Sequence, residues 1–222
     1  MSTPAGFFGK LRSHGDFVMR RLPPEFIEPW DACLQRGMLH AREALAEHWL
    51  EAWLSAPVWM FALGAGVCGD TAWAGVQMPG VDRVGRYFPL TVAARVIESA
   101  GLHAAQRWYD NAAALALSTL AAHCSIDEFD AALAALPFAP DNLVYRVQFS
   151  DGGAFGDWLA SVARDGASAW WTQGAAHRPA CAFETAGLPA ATRFAQMLDG
   201  GATSGTDLLL PLVVRDVGDC AG

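Results

Sequence analysis

Two arginines and an aspartate lie close together in one short stretch of the chain, residues 79–90, among glycines and aromatic residues. The charged residues are Asp82, Arg83 and Arg86. Two arginines on one loop can hold a carboxylate or a phosphate through bidentate hydrogen bonds. The same residues can instead form an ion pair between Asp82 and an arginine that fixes the turn. The sequence favours this second interpretation.

A glycine-rich segment, residues 64–69, matches the pattern G-x-G-x-x-G and follows a predicted strand. A dinucleotide site requires a helix to begin there, because the helix N-terminus holds the pyrophosphate. Residues 70–78 are strand-like instead, with Trp73 and Val76 before a Pro-Gly stop. We therefore predict a hairpin connection and no nucleotide site.

Other residue types that could support catalysis do not have the required spacing. Ser13, His14 and Asp16 are the types found in a catalytic triad, but three neighbours in one turn cannot readily adopt its geometry. The six histidines show no H-x-x-x-H spacing, and the five cysteines form no C-x-x-C pair. The sequence thus predicts no catalytic residue, no metal site and no cofactor.

Composition narrows the classes of partner. The chain has 222 residues, 53% of them hydrophobic, and a formal net charge of −8, so it has no general attraction to nucleic acid. No apolar run reaches the roughly 20 residues of a membrane-spanning helix, and the start lacks the apolar core of a signal peptide. We expect a soluble, cytoplasmic protein without membrane insertion. Nine tryptophans and twelve phenylalanines supply a core and are typical of a protein-binding face.

The elements that must position the 79–90 stretch are predicted from hydrophobic periodicity. Apolar residues at steps of four predict helix over residues 25–55, with a break at Gly37. Strands are predicted over residues 58–63, 71–78 and 86–97. Short connections between them favour antiparallel pairing.

The second half of the chain alternates helices and strands. Ser125 and Glu128 have the spacing of a capping box and predict the start of a helix. The remaining predictions are helices over residues 102–122, 155–162 and 189–198, and strands over residues 167–172 and 181–185. Pro211 indicates that residues 208–214 form an edge strand or no strand. We therefore predict one domain over residues 1–199, followed by a linker and tail over residues 200–222.

Several motifs, in consistent order over about residues 6–198, resemble the TagF (ImpM) family of type VI secretion-associated proteins. The most specific is Asp82-Arg83-Val84-Gly85-Arg86-Tyr87-Phe88-Pro89. The others are Gly6-Phe7-Phe8-Gly9-Lys10-Leu11, Gly15-Asp16-Phe17-Val18, Pro29-Trp30-Asp31, Trp49-Leu50-Glu51-Ala52, Ala56-Pro57-Val58-Trp59, Trp73-Ala74-Gly75-Val76, Trp170-Trp171 and Gly187-Leu188-Pro189.

The resemblance implies a fold and a function. The fold is a three-layer α/β/α sandwich around a mostly antiparallel sheet, similar to longin or profilin-like domains. The implied function is post-translational repression of type VI secretion through contact with a forkhead-associated (Fha) scaffold protein, without enzymatic activity. Two residues of the first loop depart from the family, Arg12 where proline is frequent and His14 where arginine is common, so a partner contact there would differ in this chain.

Candidate partner-binding residues follow from position and chemistry, and they are Lys10, Asp16, Asp82, Arg83 and Arg86. Two alternatives from other classes stay open. One is an enzyme or sensor for an anion or phosphometabolite, with the two arginines as a clamp and Asp16 or Asp82 as base. The other is a structural subunit of the secretion machine.

Overall fold

A computed structural model describes residues 4–97, 102, 105–121, 124–139, 141, 145, 147–162, 164–176, 178–199 and 209–214. Within them, nine strands form one sheet in which every pairing is antiparallel. The strands are β1 (Gly6–Lys10), β2 (Phe17–Arg20), β3 (Trp59–Leu63), β4 (Ala72–Met78), β5 (Leu90–Val96), β6 (Val147–Phe149), β7 (Ala167–Thr172), β8 (Cys181–Ala186) and β9 (Leu210–Val214). Their order across the sheet is β2-β1-β5-β4-β3-β7-β8-β9-β6.

Helices pack against this sheet. They are α1 (Pro24–Leu45), α2 (Trp49–Ser55), α3 (Gln106–Ser118), α4 (Ile126–Ala134), α5 (Phe155–Val162) and α6 (Ala191–Asp199), and a 3-10 turn, Ala46–His48, joins the first two. Among the described residues, no helix is both long and apolar enough to cross a bilayer.

The side chains of the central strand β3 pack into two hydrophobic cores. Phe61 and Leu63 pack into an aromatic cluster with α1, α2 and α6. Met60 and Ala62 pack into a second cluster with α3, α4 and α5. Successive side chains of a strand point to opposite faces, so a strand covered on both sides is apolar at every position. The predicted mixed α/β architecture around an antiparallel sheet is confirmed, whereas the three-layer sandwich and the likeness to longin or profilin-like domains stay predictions.

The predicted helix break at Gly37 is wrong, because α1 continues through this residue to Leu45. A Cβ atom at Gly37 would lie 2.6 Å from Cγ of Phe194 in α6. The glycine therefore lets two helices approach closely. The chain turns instead at Ala46, whose φ of 45° ends α1.

The segment between β4 and β5, residues 79–89, is hereafter the arginine loop. The predicted strand over residues 86–97 starts too early, since β5 begins at Leu90. Arg86 belongs to a turn instead, because its backbone N–H and C=O are both engaged by Asp82. The glycine-rich residues 64–69 join β3 to β4, which pair antiparallel, so the hairpin prediction is confirmed.

The last described strand, β9, lies inside the sheet between β8 and β6, so the edge or non-strand prediction for Pro211 is wrong. The Pro211 carbonyl accepts a hydrogen bond of 3.2 Å from the Ser150 N–H. In an extended residue the N–H and the C=O point toward the same neighbouring strand. At Pro211 this is the side of β6, whose pairing with β9 ends at Phe149. The N–H that proline lacks is therefore not needed for a strand pairing there. The fold thus includes residues beyond 199. The domain boundary itself stays a prediction, and residues 200–208 and 215–222 lie outside the described part of the chain.

Candidate functional site

The arginine loop is organised around one carboxylate, that of Asp82. Its Oδ1 atom accepts hydrogen bonds from the backbone N–H groups of Val84, at 3.0 Å, and Arg86, at 2.8 Å. The Asp82 N–H donates to the Arg86 carbonyl at 3.0 Å. Aspartate is favoured in turns because its side chain can bond the backbone a few residues further on. The carboxylate therefore closes the turn from within.

The second oxygen of the same carboxylate meets two cations. Asp82 Oδ2 accepts from Lys10 Nζ at 3.0 Å and from Arg86 Nε at 2.7 Å. The Asp82 side chain has no exposed surface, and that of Lys10 is 7% exposed. A buried charge is tolerated when it is paired and its remaining lone pairs are satisfied. Both conditions are met at this aspartate.

The pKa of Asp82 reflects two opposing effects. Burial by itself raises the pKa of a carboxyl group, because it disfavours the charged form. Hydrogen bonds from the Arg86 backbone, the Lys10 ammonium and the Arg86 guanidinium outweigh burial and hold the pKa of Asp82 well below its ordinary value. The carboxylate is thus charged at neutral pH.

The arginine loop is also tied to the turn that follows β1. The Arg83 N–H donates to the His14 carbonyl at 2.8 Å, and the Arg86 guanidinium donates to the Gly15 carbonyl. Gly85 has a φ of +87°, a conformation that residues with a Cβ rarely adopt. These contacts hold the two turns together as one surface.

Three of the five predicted site residues, Lys10, Asp82 and Arg86, come together in this cluster. The internal ion pair predicted as the alternative to an anion clamp is confirmed. Arg83 is exposed, and its side chain makes no hydrogen bond or ion pair with the described residues. Asp16 is exposed and lies outside the cluster, and its carboxylate accepts from the Phe17 N–H at 2.8 Å.

The burial of Lys10 and Asp82 bears on their predicted role as partner contacts. Their charged groups face each other inside the protein, so they position the loop and present little surface to a partner. Of the loop's charged residues, Arg83 and the half-exposed Arg86 are the ones that solvent reaches, and the Arg86 guanidinium is already engaged by Asp82.

Sequence reasoning did not find an apolar pocket of about 340 Å³ next to the arginine loop. Its walls come from α2, the segment after it, the loop itself, the C-terminal end of α3 and the turn after β7. The lining residues are Trp53, Leu54, Ala56, Pro57, Val58, Met78, Pro79, Gly80, Val81, Tyr87, Leu117, Leu120, Gly174 and Ala175. The surplus of aromatic residues indicated a binding face but not its place.

Three of the described cysteines, Cys33, Cys68 and Cys181, are buried. Burial raises the pKa of the Cys33 and Cys181 thiols to about 11, and burial together with the nearby Cys33 raises that of Cys68 to about 12. These thiols are therefore protonated at neutral pH. In the described part of the chain, no three His, Cys, Asp or Glu residues are grouped so that they could hold a metal ion.

Comparison with known proteins identifies relatives of the chain. The family described as TagF N-terminal domain, type VI secretion system-associated, matches residues 6–136 and so includes β1, α1 and the arginine loop. PA0076 from Pseudomonas aeruginosa PAO1, whose crystal structure is known, is 39% identical in sequence to this chain, and the two structures superpose with a TM-score of 0.77. The match covers 93% of this chain and 98% of that one. No curated protein matches the chain.

Proposed function

The chain belongs to the TagF family of type VI secretion system-associated proteins, and from this premise we propose that it regulates type VI secretion by binding another protein of the apparatus. The regulation is repression after translation, and the partner is a forkhead-associated scaffold protein. The proposal includes a cytoplasmic location, the absence of enzymatic activity and a three-layer sandwich of the longin or profilin type.

The observation that carries the proposal is the construction of the arginine loop. A buried carboxylate with two cations holds a loop on which the Arg83 side chain is exposed and makes no hydrogen bond or ion pair with the described residues. A loop that is ordered before binding loses less conformational entropy when a partner docks. Arginine is also among the residues enriched in protein interfaces. The loop is therefore suited to recognise a protein surface.

The anion-binding alternative has less support from this geometry. A clamp of two arginines needs both guanidinium groups to face the anion. The Arg86 guanidinium faces Asp82 and Gly15 instead, so an anion would have to break an existing ion pair. A carboxylate at the same place would also repel the anion.

A co-purification with the Fha-type scaffold of the same genome, run beside a secretion assay with this chain overproduced, tests the proposal. We expect a complex and a loss of secretion. The variant Arg83→Ala should fold with a stability within about 0.5 kcal/mol of the parent and bind the scaffold about tenfold more weakly, equivalent to about 1.4 kcal/mol.

The matched control is Arg20→Ala, which removes another exposed arginine, one that donates to the carbonyl of the adjacent Met19. It should bind as the parent does. Absence of a complex together with unchanged secretion would contradict the regulatory function. Stoichiometric presence of the chain in purified secretion assemblies would favour a structural subunit.

A further inference from the structure

The apolar pocket beside the arginine loop has a wall that the loop itself supplies. Gly80, Val81 and Tyr87 line it. The Tyr87 ring lies edge-on to Trp49, at 5.5 Å between centroids, and to Trp53, at 6.2 Å. The buried Asp82 cluster fixes the turn between Val81 and Tyr87, which form a β-bridge. This wall of the pocket is thus held by the same contacts that hold the loop.

Exposed leucines extend the apolar surface beyond the pocket. Leu54 is 68% exposed, Leu117 48% and Leu120 41%, and all three line the pocket. Apolar side chains grouped in this way on a soluble protein mark an interaction surface more often than isolated ones do. A small molecule inside the pocket would leave much of this leucine surface exposed to water. A protein segment lying across the surface would cover the pocket and the exposed leucines together.

Two arginines lie beside this surface. Arg12 donates from Nη1 to the Leu120 carbonyl at 3.2 Å. Arg178 pairs through its backbone with Ala175, and its guanidinium lies 3.5 Å from Ser55 Oγ. The Nε atom of Arg178 is buried without a hydrogen-bond partner among the described residues. None of the lining residues is charged, so two cations flank an apolar centre.

We propose that this pocket and its leucines are the docking site for an acidic amphipathic segment of the partner protein. A large apolar side chain of that segment enters the pocket, and its carboxylates face Arg12 and Arg178. Amphipathic segments bind apolar grooves in this manner, with charges at the rim selecting the partner. The inference deepens the proposed function and rests on its premise that the chain acts by binding a protein.

A second copy of the chain fits this surface less well. A two-fold symmetric interface packs the same surface patch of both copies together. The arginines beside the pocket in both copies would then share one interface whose lining residues supply no carboxylate to pair with them, which is unfavourable. An acidic segment neutralises them instead.

The test uses the intact chain and two synthetic peptides as probes. Both carry the same leucine stripe of an amphipathic helix, one flanked by glutamates and the other by lysines. We expect calorimetry to show that the glutamate peptide binds about tenfold tighter than the lysine peptide. Leu54→Asp and Leu120→Asp should each weaken its binding by about tenfold or more, and Arg12→Glu should remove the preference for glutamate.

Matched controls separate docking from folding. Leu39→Asp changes a helical leucine that is 62% exposed and does not line the pocket, and Arg20→Glu reverses an exposed arginine outside the pocket. Both controls should bind the glutamate peptide as the parent does. The docking proposal is overturned if neither peptide binds, if both bind equally, or if Leu54→Asp and Leu120→Asp bind as the parent does.

Two further outcomes distinguish this inference from its premise. If the parent binds the glutamate peptide at the pocket but forms no complex with the scaffold, the proposed function fails while the docking site stands. If sedimentation shows that the parent is a dimer and Leu54→Asp a monomer, the surface is occupied by a second copy and the docking proposal fails.

Discussion

At the scale of single residues, the buried carboxylate of Asp82 holds the arginine loop together. Two backbone N–H groups and two cationic side chains converge on one carboxylate that has no exposed surface. The motif around Asp82 indicated an ion pair between Asp82 and one of its two arginines, and the structure shows that this arginine is Arg86. Nothing in the motif indicated that Lys10, 72 positions away, supplies the second cation.

The lowered pKa of Asp82 makes its contribution to stability depend on pH. The folded state holds the carboxylate charged, so the contribution is fully present above the ordinary carboxyl pKa of 3.8 and is lost as the pH falls below that value toward the folded pKa. Asp82→Asn should therefore have a lower urea midpoint than the parent at neutral pH. The difference should shrink as the pH is lowered below 3.8.

The control for this experiment is Asp16→Asn, at an exposed aspartate whose carboxylate, within the described part of the chain, accepts a hydrogen bond only from the adjacent Phe17 N–H. Its stability should stay within about 0.5 kcal/mol of the parent at neutral pH. If the difference in urea midpoint between the parent and Asp82→Asn does not change with pH, the charge of Asp82 does not contribute to stability.

At the scale of elements, the close packing of α1 against α6 requires a glycine at position 37 of α1. Glycine lowers helix stability by about 1 kcal/mol relative to alanine, and for this reason Gly37 suggested a break. The structure keeps α1 continuous because the missing side chain makes room for the Phe194 ring. Local propensity is here subordinate to the contact between two helices.

Gly37→Ala should accordingly destabilise the protein, although alanine favours helix. The added Cβ would lie 2.6 Å from Phe194 Cγ and 2.8 Å from its Cβ, so one helix must shift. We expect a loss of about 1–3 kcal/mol, typical of overpacking, measured by urea denaturation. Gly156→Ala in α5 is the matched control, since its Cβ would meet only Tyr145 at 4.0 Å. It should be neutral or stabilising, and equal losses at both sites would contradict the packing explanation.

At the scale of the whole molecule, the order of the strands places both ends of the described chain inside the sheet. β1 lies between β2 and β5, and β9 lies between β8 and β6. The segment after residue 199 had the composition of a linker and a tail, and Pro211 argued against a strand. Pairing with β8 and β6 nevertheless makes residues 210–214 part of the fold.

Substitutions in β9 test this contribution. Leu212 is buried in the core that α3, α4 and α5 share with the sheet, whereas Val213 is 47% exposed. Leu212→Ala should lower the free energy of unfolding by about 2–5 kcal/mol, and Val213→Ala should change it by about 0.5 kcal/mol or less. Equal and small effects in urea denaturation would mean that the strand adds nothing to the stability of the sheet.

The sequence by itself determined the types of most elements and the family. Short, continuous apolar runs marked β3, β4 and β7, steps of four marked α1, and the Ser125 capping box marked the start of α4, which the structure contains. These signals are local, because each lies within one short stretch of the chain. Several motifs in consistent order over about residues 6–198, of which the one from Asp82 to Pro89 is the most specific, indicated the TagF family.

Only the tertiary structure decided which residues meet. Lys10 reaches Asp82, Gly37 accommodates Phe194, and α2, α3 and the arginine loop enclose the pocket. These partners are far apart in the chain and share no periodic pattern, because their proximity depends on the strand order and on how the helices pack across the sheet. Two of the predicted contact residues, Lys10 and Asp82, are buried and support the loop. Arg83 and the leucines around the pocket are the residues that a partner can reach.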